Sequence, residues 1–102
     1  MRSADKSQLF DAILRHSDRL GEFGVNRCGV FGSFVRDEAT PASDVDILIG
    51  FRDGEETFLN FMGVADLLEE VLGRKVDLLT EESLSPYIGP HILREVEYVL
   101  GA

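Results

Sequence analysis

Apolar residues recur along this chain in two rhythms. From Ser7 to Leu20, the residues Leu9, Phe10, Ile13, Leu14 and Leu20 form a stripe at helical spacing. Gly21 and Gly24 then bracket a turn, and Val25 to Phe31 reads as a strand entering the core, with Cys28 and Val30 as packing partners. Gly32 and Ser33 stop that strand, Phe34 to Ala39 predicts a short helix, and Thr40-Pro41-Ala42-Ser43 is a loop by composition. Asp44 to Phe51 switches to strict alternation, Val45, Ile47 and Ile49 against Asp44, Asp46 and Leu48, the mark of a half-buried strand. Glu55 to Leu72 returns to the helical period, with Phe58, Phe61, Met62, Ala65, Leu68 and Leu72 on one face and Gly73 placed to cap the end. Lys75 to Leu79 predicts a third strand. Thr80, Glu82 and Ser83 suggest a cap for a last helix, whose buried side is Ile88, Ile92, Val96 and Val99, with Pro86 and Pro90 making its start irregular.

The order is helix, strand, short helix, strand, long helix, strand, helix. A small mixed β-sheet with helices packed mainly on one face satisfies it, an α+β sandwich-like architecture. At 102 residues the chain is expected to form one domain over 1–102. Nineteen acidic residues against ten basic ones leave a net charge of −9, which disfavours a nucleic-acid partner and favours a basic protein surface. Cys28 is the single cysteine, so no internal disulfide can form, which fits a reducing compartment. The polar stretch Met1 to Lys6 does not resemble a signal core, and no apolar run approaches the roughly 18 residues of a membrane span. The expectation is a cytoplasmic protein with no membrane association.

The alternation also groups charge. Asp44 and Asp46 share a strand face, about 7 Å apart along the backbone. Asp77 lies opposite Val76 and Leu78 in the third strand, and it meets the other two if that strand pairs beside Asp44–Phe51, since paired strands are about 4.8 Å apart. An isolated Asp-X-Asp more often decorates a solvent-facing strand. Three converging carboxylates repel one another, and their placement makes sense around hard divalent cations such as Mg²⁺, which take a few carboxylates and complete the shell with phosphate oxygens and water. Such a cluster suits two Mg²⁺ ions, one activating an attacking oxygen and one steadying a leaving group.

Gly32-Ser33 lies between an apolar strand and an expected helix start. Taken alone it is an ordinary tight turn, but here it sits just upstream of Ser43-Asp44-Val45-Asp46. Glycine lets backbone approach closely, and Ser33 offers a hydroxyl and an amide, the grip a phosphate needs. The stretch Gly32-Ser33-Phe34-Val35-Arg36, followed by Ser43-Asp44-Val45-Asp46-Ile47-Leu48, resembles the signature of the DNA polymerase β-like nucleotidyltransferase superfamily. Lys75-Val76-Asp77-Leu78 is similar to its third-carboxylate strand. The resemblance spans nearly the whole chain and is greatest to the minimal nucleotidyltransferases encoded beside HEPN-domain proteins. It implies the nucleotidyltransferase fold, ATP as donor and AMP as the group transferred. It further implies a hydroxyl acceptor, a tyrosine on a cognate HEPN ribonuclease toxin, which the modification silences, so that this chain is its antitoxin. One departure stands out: Asp37 follows Arg36 where the minimal family commonly has glycine, adding negative charge beside the phosphate site and putting nucleotide affinity in doubt.

Around this nucleus, Arg36, Ser43 and Lys75 are further nucleotide-binding candidates. Arg36 is expected first to brace the loop through a carboxylate such as Glu38. Lys75 shares a strand face with Asp77 and is expected to form a surface salt bridge. His16 and His91 read as surface residues, Tyr87 and Tyr98 as core or rim aromatics, and Phe58, Phe61 and Met62 as core first and partner surface second. The chain has no length for an acceptor-binding domain, so that surface must come from a second polypeptide or from self-association. Two rival readings use the same residues differently: an antitoxin that only masks its partner, and a small-molecule nucleotidyltransferase of the aminoglycoside-modifying type.

Overall fold

The structure, a computed structural model, describes residues 6–101; of the polar lead Met1 to Lys6, all but Lys6 lies outside them. Four strands form one mixed sheet in the order β3-β2-β1-β4. β1 (Val25–Phe31) and β2 (Val45–Phe51) are antiparallel, and β3 (Val76–Thr80) runs parallel to β2. The β2–β3 crossover is α3 (Phe58–Leu72), as parallel neighbours require a long connection. Thr57 caps α3 by accepting the Asn60 N–H at 3.1 Å, and Gly73 ends it in the left-handed region at φ 66°.

Alternation along β2 divides the interior in two. Val45, Ile47 and Ile49 are fully buried against α1 (Lys6–Arg15) and α3, together with Cys28, Val30, Val76 and Leu78. Leu48 faces the other way, into a smaller cluster with Phe31 and Ile92. That second cluster lies under α4 (Gly89–Glu95), so one short helix covers part of the face that carries the carboxylates. Each fully buried aliphatic side chain contributes about 1.5–3 kcal/mol.

Several expectations need correction. The first helix is two, α1 and α2 (Ser17–Glu22), divided at His16, whose Nδ1 donates to the Ala12 carbonyl at 2.9 Å. Leu14 lies off the stripe and is half exposed. The long helix starts at Phe58 rather than Glu55, and its core line runs through Phe61, Val64, Leu68 and Leu72. Met62 lies about 100° round the helix from that line and Phe58 is the helix's first residue, which leaves them 40% and 76% exposed. Tyr87 is exposed rather than in the core.

The largest correction is at the end of the chain. Ile88, Ile92, Val96 and Val99 fit a helical period, but the helix stops at Glu95 and Val96 turns extended (φ −62°, ψ 138°). Glu97–Leu100 forms a fourth strand, β4, which pairs antiparallel with β1 and covers its free edge. Tyr98 donates from its hydroxyl to Glu81 at 2.7 Å, and Glu81 also binds Arg27 at 2.7 Å, tying β4, β1 and the 3-10 turn Glu81–Ser83 together. Thr80 supplies no side-chain cap there; Ser85 Oγ accepts the Ile88 N–H instead, at 3.1 Å. Among the described residues no helix is long and apolar enough to cross a membrane.

Candidate active site

Strand pairing puts the acidic residues together. Asp46 and Asp77 are direct partners in the parallel β2–β3 ladder, so their side chains leave the sheet on the same side. Asp44 stands just before β2, where the ladder continues through a hydrogen bond from the Val45 N–H to the Lys75 carbonyl at 3.0 Å. The loop leading to it is pinned. Arg74, stacked 5.1 Å from the centre of the Phe34 ring, donates to the carbonyls of Ser43 at 2.8 Å and Pro41 at 3.3 Å. Ser43 Oγ accepts the Thr40 N–H at 2.8 Å, so its hydroxyl holds the loop.

The crowding shows in the protonation of Asp46. Burial, then the neighbouring charges of Asp77 and Asp44, push its pKa up to about 6; Arg36 works against them and Glu95 adds to them. Asp44 and Asp77 are exposed, while Asp46 is half-buried between them. Among the described residues no three His, Cys, Asp or Glu side chains close around one point as ready-made metal ligands. Hard oxygen donors and mutual repulsion fit Mg²⁺, which keeps several waters and takes phosphate oxygens, better than a cage built from protein alone.

The Gly32-Ser33 turn sits directly against this cluster. After β1 the chain enters a 3-10 turn, Gly32–Phe34, with Gly32 at φ 81°. A side chain at Gly32 would collide with the Asp46 carboxylate, so glycine is required both by conformation and by space. The Gly32 N–H is already engaged, donating to Glu95 Oε1 at 2.9 Å. Arg36 donates to Glu95 Oε2 at 2.6 Å and to Glu38 Oε1 at 3.0 Å. Burial pushes Glu95 upward, but the Arg36 pair and the Gly32 amide outweigh it and its pKa lies below the ordinary range. The hydroxyl of Ser33 has no hydrogen-bond partner among the described residues. Asp37 is the only non-glycine among them with positive φ, at 62°, which explains why glycine suits the position after the arginine.

The fold therefore brings Gly32, Ser33, Arg36, Asp44, Asp46 and Asp77 to one place. Ser43 braces the approach, and Lys75, exposed beside Asp77, forms none of the salt bridges expected of it among the described residues. The expected Arg36–Glu38 brace is present. Two residues escaped the sequence reading. Arg74 had a faint signal as a cation between a glycine cap and a strand; Glu95 had none, because its partner lies 63 residues away.

Residues 13–99 match the model of the nucleotidyltransferase domain. The chain belongs to that family. This nucleotidyltransferase is 47% identical over 93 residues to the protein adenylyltransferase MntA of Thermococcus cleftensis, covering 90% of this chain and 93% of that one. A solved minimal nucleotidyltransferase superposes with a TM-score of 0.71 at 32% identity, over 86% of this chain and 93% of that one. The MNT antitoxin in complex with a tri-AMPylated HEPN toxin of Shewanella oneidensis is a more distant likeness. Its TM-score is 0.66 at 18% identity, over 92% of this chain and 73% of that chain, and it speaks for the fold alone. The resemblance to minimal nucleotidyltransferases is borne out, and with it the α+β nucleotidyltransferase fold.

Proposed function

We propose that this nucleotidyltransferase moves AMP from ATP to a hydroxyl, a tyrosine, of a cognate HEPN ribonuclease toxin, and so acts as its cytoplasmic antitoxin. The observation that carries the reading is the in-register Asp46–Asp77 pair, with Asp44 beside it, set against the Gly32 turn. The acceptor is taken from the relatives: one is named a protein adenylyltransferase, and another is an antitoxin bound to an AMP-bearing HEPN toxin.

Asp44, Asp46 and Asp77 would hold Mg²⁺, two ions being the expected number. Bound there, the metal would supply positive charge to the triphosphate and favour ionisation of the attacking hydroxyl. Ser33 donates its free hydroxyl to a phosphate oxygen, and the turn lets the triphosphate approach the backbone. Arg36 adds positive charge beside it. Asp77, exposed at the edge of the cluster, accepts the proton of the acceptor hydroxyl. The acceptor oxygen bonds to the α-phosphorus, the bond from that phosphorus to the bridging oxygen breaks, and pyrophosphate leaves.

The test is incubation of this protein with α-labelled ATP, Mg²⁺ and the HEPN protein encoded beside it. Label should pass to the HEPN protein and toxicity should fall in step. Asp44→Asn/Asp46→Asn should abolish the transfer. No transfer from folded protein to an intact partner contradicts the proposal, and neutralisation that survives the double substitution makes masking the activity instead.

A further inference from the structure

Glu95 is a carboxylate beside the site that the chemistry above does not use. It lies on a different element from the others, yet both of its oxygens are committed to the phosphate-binding turn: Oε1 accepts from Gly32 and Oε2 from Arg36. Its side chain is only 13% exposed. Two roles are open to a carboxylate in that position. It could stand in for a phosphate and leave when nucleotide arrives, or it could be a permanent strut that shapes the turn.

The backbone decides between them. Glu95 is the last residue of α4, and the next residue is fixed at once, with the Val96 N–H bonded to Ile92 at 2.9 Å. Glu97 then pairs with Val30 on β1, two residues before Gly32. Val96 also packs so tightly over Gly29 that a side chain on Gly29 would strike it. The stem of Glu95 is therefore anchored to the same strand that delivers Gly32, which favours a permanent strut over a displaceable ligand.

We propose that Glu95 is a positioning residue: it holds the Gly32 turn and the Arg36 guanidinium in the geometry that receives the triphosphate, and it stays in place when nucleotide binds. This rests on the nucleotidyl-transfer reading of the site. A consequence is that the Gly32 amide serves the strut, so the phosphate-facing donors of the turn begin at Ser33. A second is that the missed strand β4 acts at the active site, since it fixes Glu95 from behind.

The test compares Glu95→Ala, Glu95→Gln and the unaltered protein, at a temperature where melting curves show all three folded. Affinity for a fluorescent ATP analogue with Mg²⁺ is read directly, and the KM for ATP and kcat are read in the transfer assay. Loss of charge-assisted hydrogen bonds should weaken nucleotide binding about tenfold in Glu95→Ala, with KM rising more than kcat falls. Glu95→Gln keeps an acceptor for the Gly32 N–H but loses the ion pair, and it should restore part of the affinity. Arg36→Gln should cost much less in the Glu95→Ala background than alone, because the strut it needs is already gone. Tighter binding in Glu95→Ala would show competition with phosphate and overturn the strut. Affinity unchanged in both variants would overturn it as well, whatever happens to the melting temperature. If the unaltered protein binds no Mg²⁺–nucleotide, both this inference and the transfer reading fail; if it binds and transfers while the variants match it, only the inference fails.

Discussion

The two faces of β2 carry alternate residues of one heptapeptide and do opposite work. Val45, Ile47 and Ile49 are fully buried beneath α1 and α3, where each adds to stability. Asp46, between the first two, has its pKa lifted to about 6 by burial first and then by the charges of Asp77 and Asp44. A strand can bear that repulsion on one side because its other side is so thoroughly packed. Burial and repulsion make the carboxylate cluster a net liability to the fold, and the adjoining core offsets it.

Ile47→Ala attacks the stabilising face. It should cost about 2–5 kcal/mol of unfolding free energy, a large share of the roughly 5–15 kcal/mol typical of a domain. Denaturant melts would measure the loss, while transfer per folded molecule should stay close to normal. Gly32→Ala attacks the other face. Strain at positive φ should cost about 1–2 kcal/mol, and the new methyl group must displace the Asp46 carboxylate. Misplacing a reacting group by about an ångström can cost a hundredfold in rate, so transfer should fall about that much while the fold survives. The pair thus separates stability from chemistry within a few ångströms.

Acidity offers a gentler separation. Asp46 binds its proton more tightly when folded (about 6) than at the ordinary value of 3.8, so its contribution to stability is fully present below 3.8 and is lost as pH rises through 6. Glu81, held below 4.5 chiefly by Arg27, has the opposite sign, contributing above 4.5 and losing that contribution at lower pH. Melting of the ligand-free protein at pH 5, 6 and 7 should therefore show the unaltered chain losing ground to Asp46→Asn as pH rises; parallel curves would remove the repulsion from the account. Smallest is Asp37→Gly. It relieves a residue at φ 62°, and because aspartate tolerates that region better than most, the gain should be no more than about 1 kcal/mol by denaturant melt.

What was legible in the sequence follows the same division. The alternation of β2 and the helical period of α3 are local, so Val45–Phe51 and most of Phe58–Leu72 can be read from spacing. The acidic site was equally readable, since Asp46 and Asp77 sit in two strands whose pairing follows from one crossover, with Asp44 just before the first. The end of the chain was not. Ile92, Val96 and Val99 satisfy a helical period as well as they satisfy a helix followed by a strand, and the choice is made by the open edge of β1, which no local pattern records. Glu95 was hidden for the same reason, as its partners lie far upstream and its value depends on β4. The start of α3 misled because Phe58 and Met62 are apolar yet exposed, so that hydrophobicity there does not report the core.

If Mg²⁺ and nucleotide neutralise the acidic face, ligand turns its repulsion into stability. The most direct measurement is the thermal midpoint of the unaltered protein and of Asp46→Asn at pH 8, each with and without Mg²⁺–ATP. Without ligand Asp46→Asn should melt higher, and ligand should raise the midpoint of the unaltered protein alone. An equal rise in both, or a lower midpoint for the ligand-free variant, would contradict the account.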